Sequence, residues 1–97
     1  MDFKIRCFNL VKKIPRGRVS TYKEVALALG SSNFRLVGSI LSENFDECVP
    51  CHRVILSSGK LGGFNRGLVE KRELLESEGI LIVNDRVVDF KRVLFVF

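Results

Sequence analysis

An α+β domain, mostly helical, is predicted by three observations. Apolar residues recur at helical spacing from Phe3 to Ile14, two short helical segments follow on either side of a glycine turn, and near the C-terminus apolar residues flank Asn84-Asp85 as strands flank a hairpin turn. The chain has 97 residues, 46% of them hydrophobic and 28% charged, which suits one small domain over residues 1–97 and leaves no length for a second.

Each element has a local cause. Phe3, Cys7, Leu10, Val11 and Ile14 form an apolar stripe between Lys4, Arg6, Lys12 and Lys13, and Pro15 and Gly17 end that helix. Thr21 and Glu24 stand three apart as a capping box that opens a helix over Tyr22–Leu29, closed by Gly30. Ser31 and Ser32 offer the next N-cap, before a helix Phe34–Ser42 with Val37, Ile40 and Leu41 on its apolar side. Helix, tight turn and helix make a helix-turn-helix of the winged-helix-like type, although a helical hairpin in a core has the same pattern. Cys48–Leu56 is a loop entering an apolar, strand-like run, and Ser57–Gly63 is rich in turn residues. Leu68–Glu78 is a charged helix capped by Gly79, Ile80–Val83 and Arg86–Phe90 are short strand segments, and Val93–Phe97 is too apolar for a disordered tail.

Sixteen Lys and Arg against eleven Asp and Glu give a net charge of +5, which suits a polyanionic partner such as nucleic acid. No run approaches the ~18 apolar residues of a membrane span, and Met1-Asp2-Phe3-Lys4 is no secretory signal, so an intracellular chain with no membrane partner is expected. Three cysteines, an odd number, are then expected as reduced thiols. Arg35 lies near the start of the second helix of the pair, where a recognition helix reaches nucleic acid, and Gly38 and Ser39 permit close approach. A solvated surface charge is the other reading of Arg35.

Cys48-Val49-Pro50-Cys51-His52 has the Cys-x-x-Cys-His form of haem attachment and contains the Cys-x-x-Cys of zinc and redox sites. Haem attachment needs export and a further axial ligand, whereas His52 is the only histidine and Met1 the only methionine. Structural zinc needs a fourth ligand, which only Cys7 offers, from the core face of the first helix. A thioredoxin-like pair opens a helix after a strand, but here the motif precedes an apolar run. The remaining reading makes Cys51 a lone nucleophile, activated by His52 through a water or after a turn, with Glu78 the attractive carboxylate to orient the ring.

Pro50-Cys51-His52-Arg53-Val54-Ile55 resembles the active-site motif of the O6-alkylguanine-DNA alkyltransferases. Gly17–Tyr22, Arg35–Gly38, Asn44, Ser57–Gly59, Gly62–Phe64 and Lys71 through Glu78-Gly79 resemble further blocks of that family in the same order, covering nearly all of the chain from Phe8 onward. The resemblance implies direct-reversal repair of DNA: one alkyl group passes irreversibly from O6 of guanine to Cys51, in a single turnover without cofactor or metal. It implies that Glu78, His52 and a water draw the proton from Cys51, that Asn44 braces the adjoining turn, and that Tyr22 donates a proton or hydrogen bond to the guanine. It also implies a minor-groove helix-turn-helix that rotates the nucleotide out of the stack, as chemistry on a paired base requires. Arg35 would fill the vacated space, Tyr22, Lys23, Ser31, Ser39 and Ser57 would touch DNA, and the carbonyls of Cys51 and Val54 with Phe64 and Asn65 would line the base pocket.

Departures from the family bear on that carry-over. The N-terminal domain of longer members is expected to be missing, Phe64 replaces a common tyrosine, and Asn65 and Arg66 replace smaller residues. The partner implied is double-stranded DNA containing O6-alkylguanine, met by a monomer in the cytoplasm or nucleoid of a prokaryote or the nucleus of a eukaryote. A rival is a lesion-binding, alkyltransferase-like module without transfer, although such proteins carry a different residue where Cys51 stands. A helix-turn-helix regulator would need a dimer surface for paired half-sites and no Cys51, His52 and Glu78 set.

Overall fold

The computed structural model describes residues 2–97; Met1 lies outside them. Helix α1 (Phe3–Val11) starts where the Asp2 carboxylate accepts from the Lys4 amide at 2.8 Å, and it buries Cys7 and Val11. It ends a turn before Ile14, because a residue that precedes proline is pushed out of the helical region. Two tightened bonds, Lys13 N–H to Leu10 O at 3.0 Å and Ile14 N–H to Val11 O at 3.1 Å, still carry Ile14 into the core.

Strand β1 (Ser20–Thr21) leads straight into α2 (Tyr22–Ala28), capped as expected by the Thr21 hydroxyl, which accepts from the Glu24 amide at 3.0 Å. Gly30, at φ +75°, closes α2 in a conformation that side chains disfavour. The N-cap of α3 (Phe34–Ser42) is Asn33, whose side-chain oxygen accepts from the Leu36 amide at 3.1 Å, and this corrects the expectation of Ser31 or Ser32. A cap must stand immediately before the first helical residue. Ser31 instead accepts from the Asn33 amide at 3.0 Å and shapes the turn.

A 3-10 turn, Cys51–Arg53, precedes strand β2 (Val54–Ile55), which pairs in parallel with β1 through Ser20 beside Val54 and Thr21 beside Ile55. Sequence patterning does not anticipate β1. The pairing matters for function, since it sets the start of α2, and so Tyr22, beside the turn that carries Cys51.

Helix α4 (Leu68–Ser77) ends at Glu78. Gly79, at φ +89°, donates to Glu76 O at 3.0 Å and Ile80 to Leu75 O at 3.1 Å, a Schellman ending that fixes the Glu78 backbone. Strands β3 (Ile82–Val83) and β4 (Arg86–Val87) form the expected hairpin, with Asn84 and Asp85 at φ 52° and 57° in its turn. The second strand is shorter than Arg86–Phe90, because Asp89 turns left-handed at φ 54° and starts a helical turn α5 (Phe90–Val93). The tail is tied to Val19, whose amide donates to Val93 O at 2.9 Å and whose carbonyl accepts from Phe95. The α2 and α3 helices pack on each other as the expected helix-turn-helix.

Two apolar clusters form the core. One holds Cys7, Val11, Ile14, Val25, Val37, Leu41, Val49, Cys51 and Val54, and the other Val19, Ile55, Leu61, Leu75, Ile80, Val87 and Val93. The β1–β2 pair joins them: Val54 faces the first and Ile55 the second, as alternate strand positions must. No helix among the described residues is long and apolar enough to cross a membrane.

Candidate active site

Cys51 is 8% exposed and forms a wall common to two cavities. The larger, about 400 Å³, opens between α2, α3 and the 56–65 segment and is lined mainly by Tyr22, Phe34, Arg35, Leu41 and Phe64. The smaller, about 270 Å³, has a more polar wall that includes Asn44, Asp46, His52, Arg66 and Glu70.

Asn44 is buried at the end of α3, and its amide nitrogen donates to Val49 O at 3.2 Å and Asp46 O at 3.3 Å and reaches Cys51 Sγ at 3.4 Å. One side chain therefore closes the loop before the cysteine and touches its sulfur. Behind it, His52 Nε2 lies 2.9 Å from Glu78 Oε2, and Arg53 forks onto the same carboxylate with Nε at 2.9 Å from Oε1 and Nη2 at 2.8 Å from Oε2. The third guanidinium nitrogen, Nη1, donates to Ile14 O at 2.9 Å.

This network sets charge and tautomer. Burial alone would raise the Glu78 carboxyl, but hydrogen bonds and charge from Arg53 and His52 hold it below the usual range. Burial pulls His52 down despite the pull of Glu78, so the ring is neutral at pH 7. An ionised carboxylate only accepts, so Nε2 carries the hydrogen and Nδ1 is left as a free base. A neutral imidazole held on a buried anion is suited to taking one proton, since the imidazolium it becomes is already paired.

Tyr22 projects into the larger cavity, its hydroxyl 3.4 Å from Gly63 O and 3.5 Å from the ammonium of Lys71. Burial pushes its phenol up to about 12, with the charge of Cys51 adding, so it remains a donor at neutral pH. Gly62, at φ +72°, lies against this ring and Leu56; a β-carbon there would come within 3.2 Å of Leu56 Cγ.

Residues 2–80 match the family model described as the 6-O-methylguanine DNA methyltransferase, DNA binding domain. The chain belongs to this family. A methylated-DNA–protein-cysteine methyltransferase of Sulfolobus acidocaldarius is 50% identical over 82 residues, covering 84% of this chain and 52% of that protein. S. pombe Atl1, solved in complex with damaged DNA containing O6-carboxymethylguanine, superposes with a TM-score of 0.87 at 30% identity, covering 96% of this chain and 94% of that one. Mycobacterium tuberculosis OGT in complex with DNA gives 0.77 at 41% identity, covering 81% of this chain and 49% of that one. The chain thus spans about half the length of the curated methyltransferase it matches.

The remaining candidate positions in this methyltransferase-family domain are divided between the cavities, the exposed surface and the core. Arg35, exposed on the first turn of α3, lines the larger cavity, with Phe34 beside it at 47% exposure. Lys23, Ser39 and Ser57 are exposed, and Ser31 is half-buried, outside both cavities. A β-carbon added at Gly38 would meet the Tyr22 ring at ordinary contact distance. Phe64 and Asn65 line both cavities, and the Asn65 amide is committed to the backbone, donating to Ser42 O at 3.1 Å and to Asn44 O. Val54 lines neither: its side chain is buried in the core and its carbonyl accepts from Lys71. Among the described residues no group of three potential ligands is placed to hold a metal ion; Cys7 is buried and Cys48 exposed.

Two residues had gone unassigned. Arg53 sits inside the motif, and its position next to His52 was the one available signal. Lys71 is fully buried, which a lysine in a helix as charged as α4 does not signal.

Proposed function

We propose that the protein repairs double-stranded DNA by moving an alkyl group from O6 of guanine to Cys51, once and irreversibly. The observation that carries this reading is a reduced, nearly buried cysteine at a cavity wall, followed in sequence by a neutral histidine fixed on a buried carboxylate.

The lesion rotates out of the duplex into the larger cavity, because its O6 cannot be reached inside the stack. Arg35 takes the vacated place, and Lys23, Ser31, Ser39 and Ser57 hold the strand, with backbone contacts that weaken as salt rises. The Cys51 proton passes through a water to His52 Nδ1, and Glu78 balances the imidazolium. The thiolate attacks the alkyl carbon in line. A carbon–sulfur bond forms, the carbon–oxygen bond breaks with its electron pair going to the guanine, and Tyr22 offers the hydrogen that neutralises the leaving base. Asn44 keeps the sulfur aligned throughout, while Phe64, Asn65 and the Cys51 carbonyl bound the base. The site of action is the DNA-containing compartment, the cytoplasm of a prokaryote or the nucleus of a eukaryote, and the acting species is the monomer.

A lesion-binding module without transfer is the second reading, favoured by the 94% coverage of S. pombe Atl1 against about half of the methyltransferase relatives. Peptide mass analysis after incubation with a duplex containing O6-methylguanine separates the two. One methyl on Cys51, in proportion to lesion lost, supports transfer; unmodified protein that holds the lesion supports the binding module; indifference to the lesion refutes both.

A further inference from the structure

The chain's net positive charge lies away from the helix pair that flanks the larger cavity. Lys4, Arg6, Lys12, Lys13, Arg16 and Arg18 against Asp2 give residues 2–18 a net +5, which equals the net charge of the whole chain. Residues 22–43, which span α2 and α3, hold Lys23 and Arg35 against Glu24 and Glu43 and sum to zero. Three of the six cations in the first stretch are committed: Lys4 pairs with Glu43 at 3.5 Å, Arg16 donates to Ser77 O at 2.9 Å, and Arg18 donates to Val93 O at 3.1 Å and Leu94 O at 2.7 Å. Arg6, Lys12 and Lys13 are exposed, and the ion pairs among the described residues include none of them.

Helix geometry groups these three. Cys7 and Val11 are buried in the cluster that holds Val25 of α2 and Val37 of α3, and at ~100° per residue Ile5, Arg6, Lys12 and Lys13 fall on the opposite half of α1. The cations therefore face away from the recognition pair. Arg6 and Lys13, seven residues apart, lie nearly in line and about 10 Å apart along the axis, a span of about three phosphates of one DNA strand. A lipid surface would need an apolar face beside the charge, but that side of α1 is spent on the core and Ile5 is its one exposed large apolar residue. A phosphate backbone needs only exposed cations.

We propose that the outward face of α1 is a second DNA-binding surface, which holds the backbone of a duplex segment other than the one seated on α2–α3. The inference rests on the reading of this chain as a DNA-repair protein. Backbone contacts carry no sequence information, so the second segment is held wherever it lies. A protein with one DNA surface must let go before it moves, whereas one with two can grasp a new segment before releasing the old.

That difference is measurable as the release of a labelled undamaged duplex, followed by stopped-flow anisotropy while unlabelled duplex is raised tenfold. The wild-type release rate should rise several-fold with the competitor. Arg6→Gln/Lys12→Gln/Lys13→Gln should lose that rise, and its slope of log affinity against log salt should be smaller by about two to three. Its methyl transfer to Cys51 from a short duplex carrying the lesion should stay within about twofold of wild type, since none of the three residues lines either cavity. A wild-type release rate independent of competitor, a rise that survives in the triple variant, or a rise produced by RNA and not by duplex DNA would each overturn the second surface while leaving repair intact. The wild-type measurement needs no variant to fold. A wild-type protein that binds no duplex at any salt concentration refutes the repair reading itself, and the second surface with it.

Discussion

The two sides of Cys51 are built on opposite plans. On the α4 side, Glu78, His52 and Arg53 are largely buried and each depends on another for its charge state or hydrogen bonds. On the α2–α3 side, Lys23, Arg35 and Ser39 stand exposed. A low-dielectric network acts as a unit and tolerates no missing member, whereas exposed groups act nearly one by one. Under the proposed function, the first side would serve the chemistry at Cys51 and the second, Tyr22 apart, would meet the DNA.

The largest effect should come from removing the atom where the two sides meet. Cys51→Ala should abolish transfer and leave affinity for a duplex carrying O6-methylguanine within a few-fold of wild type, measured by fluorescence anisotropy. Loss of binding together with transfer would break the division. Next is Glu78→Ala, which strands the Arg53 guanidinium beside Ile14 O without its carboxylate. Breaking a buried pair costs about 3–5 kcal/mol, and in a chain this short the midpoint of thermal unfolding should drop by at least ~12 °C. A melt shifted by only a degree or two would show that the network is not a unit.

Acid should expose the same network without mutation. His52 is lowered mainly by burial, so the unfolded chain takes up its proton first, and stability is lost as pH falls below the ordinary 6.5. Glu78, held down against burial by Arg53 and His52, contributes stability that is present above its ordinary 4.5 and lost as pH falls further. Denaturant midpoints from pH 8 to 3 should therefore begin to fall near 6.5 and fall again below 4.5. Glu78→Gln should remove the lower step, and a flat profile would contradict the stated origin of both shifts.

The same contrast decides what could be read from the residues in order. Thr21, Gly79 and Asn84-Asp85 announce their caps and turn through local chemistry, and the structure places them accordingly. The Ser31–Asn33 stretch misleads because three adjacent residues have capping side chains and only the start of α3 chooses among them. Strand β1 is two residues long and exists because β2 lies beside it, so no periodicity reveals it. The ordered motifs pointed to Cys51, His52 and Glu78, which the chain brings together across 27 positions of separation between Cys51 and Glu78. Lys71 stayed hidden for the opposite reason: Lys71, Arg72 and Glu73 in one charged helix read alike, and only packing shows that Lys71 points inward.

The recognition side should yield smaller and more separable effects. Arg35→Ala should slow repair of a duplex about tenfold more than reaction with a free O6-alkylguanine base, if the arginine acts, as proposed, on rotation of the nucleotide and not on the transfer. Its melting temperature should hardly move, since exposed substitutions usually stay within ~0.5 kcal/mol. Equal losses on both substrates would remove Arg35 from the flipping step. Lys23→Ala should be smaller still. If Lys23 does no more than neutralise one phosphate, its loss weakens damaged and undamaged duplexes alike and reduces the slope of log affinity against log salt by about one. A change confined to the damaged duplex would instead mean that Lys23 senses the lesion, and the line between chemistry and recognition would then have to be redrawn through α2.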